Sequence, residues 1–201
     1  LSIEYRIPLL FSFKACRIYE KPCPKYVCHH GYACGDVYFL KINSATGETL
    51  ISKRHTPNKW WAFGYSILQL DDGSFIVGGK VRADRGSPTN SAVWRLNHNG
   101  EMVWSQPWTG TARKNHNEYV FALALNPQRD AVIAAGIAGN NMMAWSMDLN
   151  GTQKWVKRYE EPGLQVASGI TRIKNNRYLL SGSRWFLEID SDGSLIKNHH
   201  K

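Results

Sequence analysis

The chain lacks most of the features by which function is recognised from sequence. It has no run of about 18 apolar residues, the length a bilayer-spanning helix needs, so no helical membrane span is expected. It has no G-x-S-x-G, no H-E-x-x-H, no glycine-rich phosphate loop and no evident helical period. The usual nucleophile, zinc-hydrolase and nucleotide chemistries therefore have no motif to rest on. Ser, His and Asp are present, but their order does not pair them, so an enzyme here requires a site assembled from loops. Residues 8–13 are too short for a signal h-region and have no small-residue cleavage site after them. The chain opens on Leu1, which fits a processed product or part of a longer chain.

Charge is sparse as well, at 20% of 201 residues. Lys and Arg outnumber Asp and Glu by 25 to 16, a net +9, yet no basic run exceeds two residues. A nucleic-acid footprint gathers its basic residues on one face or along one helix. The scattered excess disfavours nucleic acid and suits an acidic glycan or another anionic surface. Cysteine is missing from residues 35–201, and all four cysteines fall at Cys16, Cys23, Cys28 and Cys34.

Aromatic residues and a repeat are what the chain has. Aromatics make up 12%, with eight Trp. An apolar strand, a tight glycine turn and a second strand recur at residues 36–47, 91–104, 143–155 and, more weakly, 185–193. The turn glycines are Gly47, Gly100, Gly151 and Gly193. Their spacing drifts from the low fifties to the low forties, a repeat length that marks a β-propeller or solenoid.

Each repeat resolves into four short strands. The second repeat reads as strands at 62–70, 74–79, 92–97 and 101–108, the third at 119–125, 131–136, 143–149 and 152–158. The fourth has strands at 166–173, 177–182, 185–189 and 194–198. The first is incomplete, with 9–16, 36–42 and 49–53 as its later strands. An all-β β-propeller of four-stranded antiparallel blades is expected, about three and a half to four in this chain. Residues 1–35 form an irregular first blade with a cysteine-rich loop, and residues 36–201 carry the repeats within a single domain. Either a four-bladed ring closes or the chain is part of a larger propeller, since a bare edge is prone to pairing. Gly79, Gly136 and Gly182 end the second strands and predict close backbone approach, most simply against the next blade. Trp94, Trp104, Trp145 and Trp155 recur in register and are expected to be core rather than a ligand box.

The pattern D-x-Y-x-L-K-I-N-x-x-T-G-E at residues 36–48, with N-G-E-x-V-W at 99–104 and N-G-x-x-K-W at 150–155, resembles the repeats of PQQ-like (quinoprotein-type) propellers and related bacterial secreted propellers. The resemblance covers about residues 36–196. It implies the fold but no activity: enzymes of that superfamily need further cofactor residues, and no quinone or calcium site maps onto this chain. Many relatives are binding or assembly proteins, and fold does not imply function.

In such an architecture the minimal hairpins lie on one face and the longer connections on the other. Long loops on a rigid scaffold carry function. The long-loop face is assigned residues 54–61, 109–118 and 160–165, together with 81–90, 138–141 and the cysteine loop 19–35. Its binding candidates are Trp60, Trp61, Arg82, Arg85, Arg113, Lys114 and His116, aromatics and cations suited to stacking on sugar rings or anchoring a protein.

The cysteine loop leaves three readings open. Two disulfides would staple the insertion, since closing a ~15-residue loop is worth roughly 3 kcal/mol in the chain-entropy model. That would place the chain in a secreted, periplasmic or cell-surface setting. Zinc could use these thiolates with His29 or His30, although the short C-x2-C knuckle is missing. Cys23, Cys28 and His29 also form C-x4-C-H, which resembles a lengthened c-type haem attachment motif; the ordinary form is C-x-x-C-H. The functional expectation is a non-enzymatic binding or assembly module with a protein or acidic glycan partner. The competing expectations are a redox or metal protein built on the cysteine loop, and a glycan-active hydrolase or lyase on the long-loop face.

Overall fold

A computed structural model describes residues 9–10, 36–55, 61–82, 87–108, 117–160, 166–182 and 185–200. The strands in chain order are β1 (Leu9–Leu10), β2 (Val37–Ile42), β3 (Thr49–His55), β4 (Trp61–Gln69), β5 (Phe75–Arg82), β6 (Asn90–Leu96), β7 (Met102–Trp108), β8 (Glu118–Leu125), β9 (Ala131–Ala138), β10 (Asn141–Asp148), β11 (Gln153–Tyr159), β12 (Gly169–Ile173), β13 (Arg177–Ser181), β14 (Trp185–Ile189) and β15 (Leu195–His200). No helix occurs among the described residues. The sheets are β1-β2-β3, β4-β5-β6-β7, β8-β9-β10-β11 and β12-β13-β14-β15, each antiparallel with sequence neighbours paired. Each of the last three sheets is one repeat, a β-propeller blade with its strands in sequence order. The first sheet lacks an equivalent of β4 among the described residues.

Strands form where β-branched and aromatic residues fit the pleat, and the turns between them need positive φ. Gly47, Gly100, Gly151 and Gly193 have φ of 73°, 74°, 89° and 78°. In the last three of these hairpins the first turn residue, an Asn or Asp, closes the loop with its own side chain. Oδ1 of Asn97, Asp148 and Asp190 accepts from two backbone N–H groups each. This Asx closure replaces backbone partners and explains the N/D-x-x-G spacing.

The core lies at the seams between consecutive blades. Phe39 and Val37 of the first sheet pack on Phe75, Val77 and Trp94 of the second. Ile76 and Val93 of the second meet Trp145, Met143 and Val132 of the third. Ile133, Met142 and Tyr159 of the third meet Tyr178, Leu180 and Leu187 of the fourth. Among the described residues, none of these clusters joins the first sheet to the fourth. Each seam takes alternate residues of a strand, one set to each neighbour, because successive side chains point to opposite faces.

The tryptophan expectation holds for the two on the third strands of their blades, β6 and β10. Trp94 and Trp145 are fully buried. Trp104 and Trp155 are only partly buried and pack against the core from the outer strands β7 and β11.

The glycines that end the second strands do allow close approach, but the approaching atoms belong chiefly to the same blade. A Cβ on Gly79 would stand 1.8 Å from the Phe63 carbonyl oxygen, and one on Gly136 1.8 Å from that of Tyr119. The cause is a β-bulge in each inner strand, at Tyr65 between Gly64 and Ser66 and at Phe121 between Val120 and Ala122. Gly182 alone also meets the neighbouring blade, at Met142 Cε. The 138–141 connection, expected among the longer loops, is a two-residue turn: Ala138 pairs with Asn141, and Gly139 has φ of 63°.

Candidate functional site

The long-loop end of the second and third blades carries a cluster of aromatic rings around one amine. Residues Phe63 and Tyr65 stand on β4, Lys80 on β5, and Tyr119 and Phe121 on β8. Phe63 and Lys80 are register partners across β4 and β5. The two bulges place an extra residue in the inner strand of each blade, and in both cases that residue is aromatic. Bulges redirect side chains in this way near binding sites. The Tyr65 and Phe121 rings meet across the seam at 5.1 Å, and Phe121 meets Tyr119 edge-on at 5.7 Å.

Lys80 lies over three of these rings. Its Nζ is 4.4 Å from the Tyr119 centroid, 4.9 Å from Phe63 and 5.5 Å from Tyr65. Aromatic faces are negative and attract an ammonium at these distances. No carboxylate among the described residues pairs with Lys80. Burial lowers the Lys80 pKa from its ordinary value, and Arg82 nearby lowers it further. Burial pushes Tyr65 up to about 12, with Tyr119 adding to the rise. Tyr119 is also raised by burial, while a hydrogen bond to Thr89 and the Arg82 charge pull the other way. Tyr65 is 38% exposed, so the cluster is open to solvent on one side.

Backbone bonds fix this end. Glu118 N–H donates to the Thr89 carbonyl at 2.8 Å, and Thr89 N–H donates to Asn117 Oδ1 at 3.1 Å. Gly139 N–H donates to the Asn117 carbonyl at 3.0 Å. Arg82 Nε donates to the Ser87 carbonyl at 2.6 Å, which holds the guanidinium beside the cluster. The arrangement offers two cations, one on an aromatic floor, and hydroxyls at Tyr65 and Tyr119. It suits a ring-bearing anion.

Among the residues expected to bind, Arg82 falls at this site, and Trp61 stands opposite it in the β4–β5 register. Trp60, Arg85, Arg113, Lys114 and His116 lie outside the described residues, as do Cys16, Cys23, Cys28, Cys34, His29 and His30. Among the described residues no three of His, Cys, Asp and Glu gather as a metal site. Lys80, Phe63, Tyr65, Tyr119 and Phe121 were not among the expected binding residues. A signal for them exists: Phe63-Gly64-Tyr65 and Tyr119-Val120-Phe121 put an aromatic-x-aromatic triplet at the same place in two repeats.

No protein-family model matches the chain, and no curated protein matches it in sequence. Solved structures do match in shape. A protein of unknown function from Bacteroides caccae aligns at 14% identity and TM-score 0.57, over 81% of this chain and 54% of that one. XC5397 from Xanthomonas campestris, described as a gluconolactonase important in glucose secondary metabolic pathways, aligns at 13% identity and TM-score 0.52, over 82% and 58%. The Dos1 propeller aligns at 12% identity and TM-score 0.47, over 84% of this chain and 44% of that one. The chain spans a little over half the length of the first two. At these identities the likeness to the first two concerns the fold alone, and the four-stranded antiparallel sheets, each one repeat, make the chain a β-propeller.

Proposed function

We propose that this chain is a non-enzymatic binding propeller of the PQQ-like type, secreted or held at the cell surface, whose long-loop face takes an acidic glycan. The observation that carries the reading is Lys80, an amine lying on three aromatic rings with Arg82 nearby and no acid paired to it among the described residues. A uronic acid supplies the acid that Lys80 lacks among the described residues. Its carboxylate meets Lys80, and its pyranose ring stacks on the exposed side of Tyr65. The net charge of +9 favours the same polyanion at longer range.

The clustered cysteines support an oxidising compartment, with two disulfides as the simplest state. The test is retention on immobilised polygalacturonate. Wild type is expected to bind and to elute with rising salt, and Lys80→Met to elute earlier. Equal retention of the two proteins contradicts the reading.

A further inference from the structure

The opposite, hairpin face has a feature that the long-loop site does not use. The seam between the second and third blades is closed there by two arginines. Arg95 donates from Nη1 to the Leu149 carbonyl at 2.9 Å and from Nη2 to Asp72 at 2.6 Å. Arg129 holds Asp71 with two bonds of 2.6 and 2.5 Å. The next seam, between the third and fourth blades, is open. Arg95 pairs with Ile76 and Trp104, and the position that pairs with Ile133 and Trp155 one blade later is Ser146. A serine in place of an arginine leaves a cavity of about 380 Å³, bounded by Ser146, Trp155, Gln128, Asn176, Ser191 and Asp192 among others.

We propose that this cavity is a binding site for a neutral pyranose sugar, distinct from the acidic-glycan face. Its volume lies in the range of about 300–1,000 Å³ typical of small-ligand pockets. Trp155 supplies a flat apolar wall, and its orientation is fixed because Nε1 donates to the Ser191 carbonyl at 3.0 Å. A sugar ring presents C–H groups on one side, which lie on such a wall, and hydroxyls around its edge. The Ser146 hydroxyl, the amides of Gln128 and Asn176, and the Asp192 carboxylate surround the cavity with both donors and acceptors. Asn176 is held in a left-handed turn, at φ of 55°, which fixes its place on the rim. Lys154 also borders the cavity, but it lies 4.0 Å from the Asp130 carboxylate and is about half exposed, so the cavity carries no concentrated positive charge. That separates its ligand chemistry from that of Lys80 and Arg82.

Methyl glucopyranoside, methyl galactopyranoside and methyl mannopyranoside are the probes, titrated into ¹⁵N-labelled protein. For at least one of them, saturable shifts are expected at the amides of Asn176, Ser191 and Asp192. Ser146→Arg restores the side chain that closes the preceding seam and is expected to weaken that binding about tenfold or more, a change of about 1.4 kcal/mol. If Ser146→Arg does not fold, Asp192→Ala is expected to show a similar loss. Lys80→Met is expected to bind the same glycoside as wild type does. Absence of saturable shifts with all three probes overturns the site. So does unchanged binding in the folded cavity variant, or loss of neutral-sugar binding in Lys80→Met.

Discussion

Trp155 of one blade donates its indole N–H to the Ser191 carbonyl of the next, 3.0 Å away, and Gly193 of the same turn lies against the ring, where a Cβ would come within 2.6 Å. One seam earlier Trp104 makes the same bond to the Leu149 carbonyl at 3.2 Å, with Gly151 against its ring. Four residues further along the outer strands the pattern recurs. Tyr159 donates its hydroxyl to the Gly193 carbonyl at 2.9 Å, and His55 Nε2 stands 2.8 Å from the Gly100 carbonyl. Each of the first three sheets is thus tied by its outer strand to the next blade's hairpin, and the repeated N-G…W spacing in the sequence is the trace of that tie.

Trp104→Phe and Trp155→Phe keep an aromatic ring and lose one hydrogen bond. Each is expected to cost about 1 kcal/mol. Trp155→Ala also removes the wall packed on Gly193 and is expected to cost about 2 kcal/mol or more. Urea unfolding followed by circular dichroism measures both, and equal midpoints for wild type and Trp155→Ala contradict the tie.

Two glycines separate backbone conformation from crowding. Gly47 has φ of 73° and open space around its missing Cβ, so Gly47→Ala meets only the left-handed penalty of roughly 1–2 kcal/mol. Gly136 faces a carbonyl oxygen at 1.8 Å from a built Cβ. Gly136→Ala must displace backbone and is expected to exceed about 3 kcal/mol, the upper part of the overpacking range. Thermal unfolding ranks them, and a milder effect at Gly136 than at Gly47 contradicts the bulge geometry.

Acid should loosen the first seam. Burial holds the His55 pKa below its ordinary 6.5, with the Lys53 charge also lowering it and the Gly100 hydrogen bond partly opposing. The folded state therefore prefers the neutral ring. The unfolded state binds the proton first as pH falls, so this contribution is present above pH 6.5 and is lost as pH drops through the depressed folded value. Stability is expected to decline between pH 7 and 5, and His55→Phe to flatten that decline. An unaltered pH profile in the variant rules out His55 as the source.

Thiol titration of the unfolded, unreduced, chelator-treated protein addresses the cysteine loop. Two disulfides leave no reactive thiol, which is the expected result. A zinc site would leave four. Haem attachment would leave two, with a visible absorption band.

Most of the architecture was legible in the sequence because the turns are chemically demanding. Gly100, Gly151 and Gly193 must reach positive φ, and Asn97, Asp148 and Asp190 must close the turns, so spacing alone located the hairpins. Strand ends were read short at Gly79 and Gly136, since a strand glycine looks like a terminus when its role is to admit a bulged neighbour. That error hid the site. A strand ending at Gly79 and a loop starting at Val81 leave Lys80 in neither, and the alternation of β4 gives no sign that Tyr65 slips out of register. Arg82 is legible because it falls within the 81–90 loop. Lys80 is not, because its distinction is the three rings around it, and those come from two blades.

The most direct test of the proposed binding face is a calorimetric titration of trigalacturonate into wild type and Lys80→Met, with unfolding of both measured alongside. The Lys80 pKa is lowered from its ordinary 10.5. Any stability from the neutral amine is therefore full above that value and is lost as pH falls through the depressed folded value, so at pH 7 the cost of burying its charge offsets the attraction of the rings. Replacement by Met should leave stability unchanged or raise it while binding falls about tenfold or more, a change of about 1.4 kcal/mol. Equal affinity for trigalacturonate in a fully folded Lys80→Met protein would contradict the account.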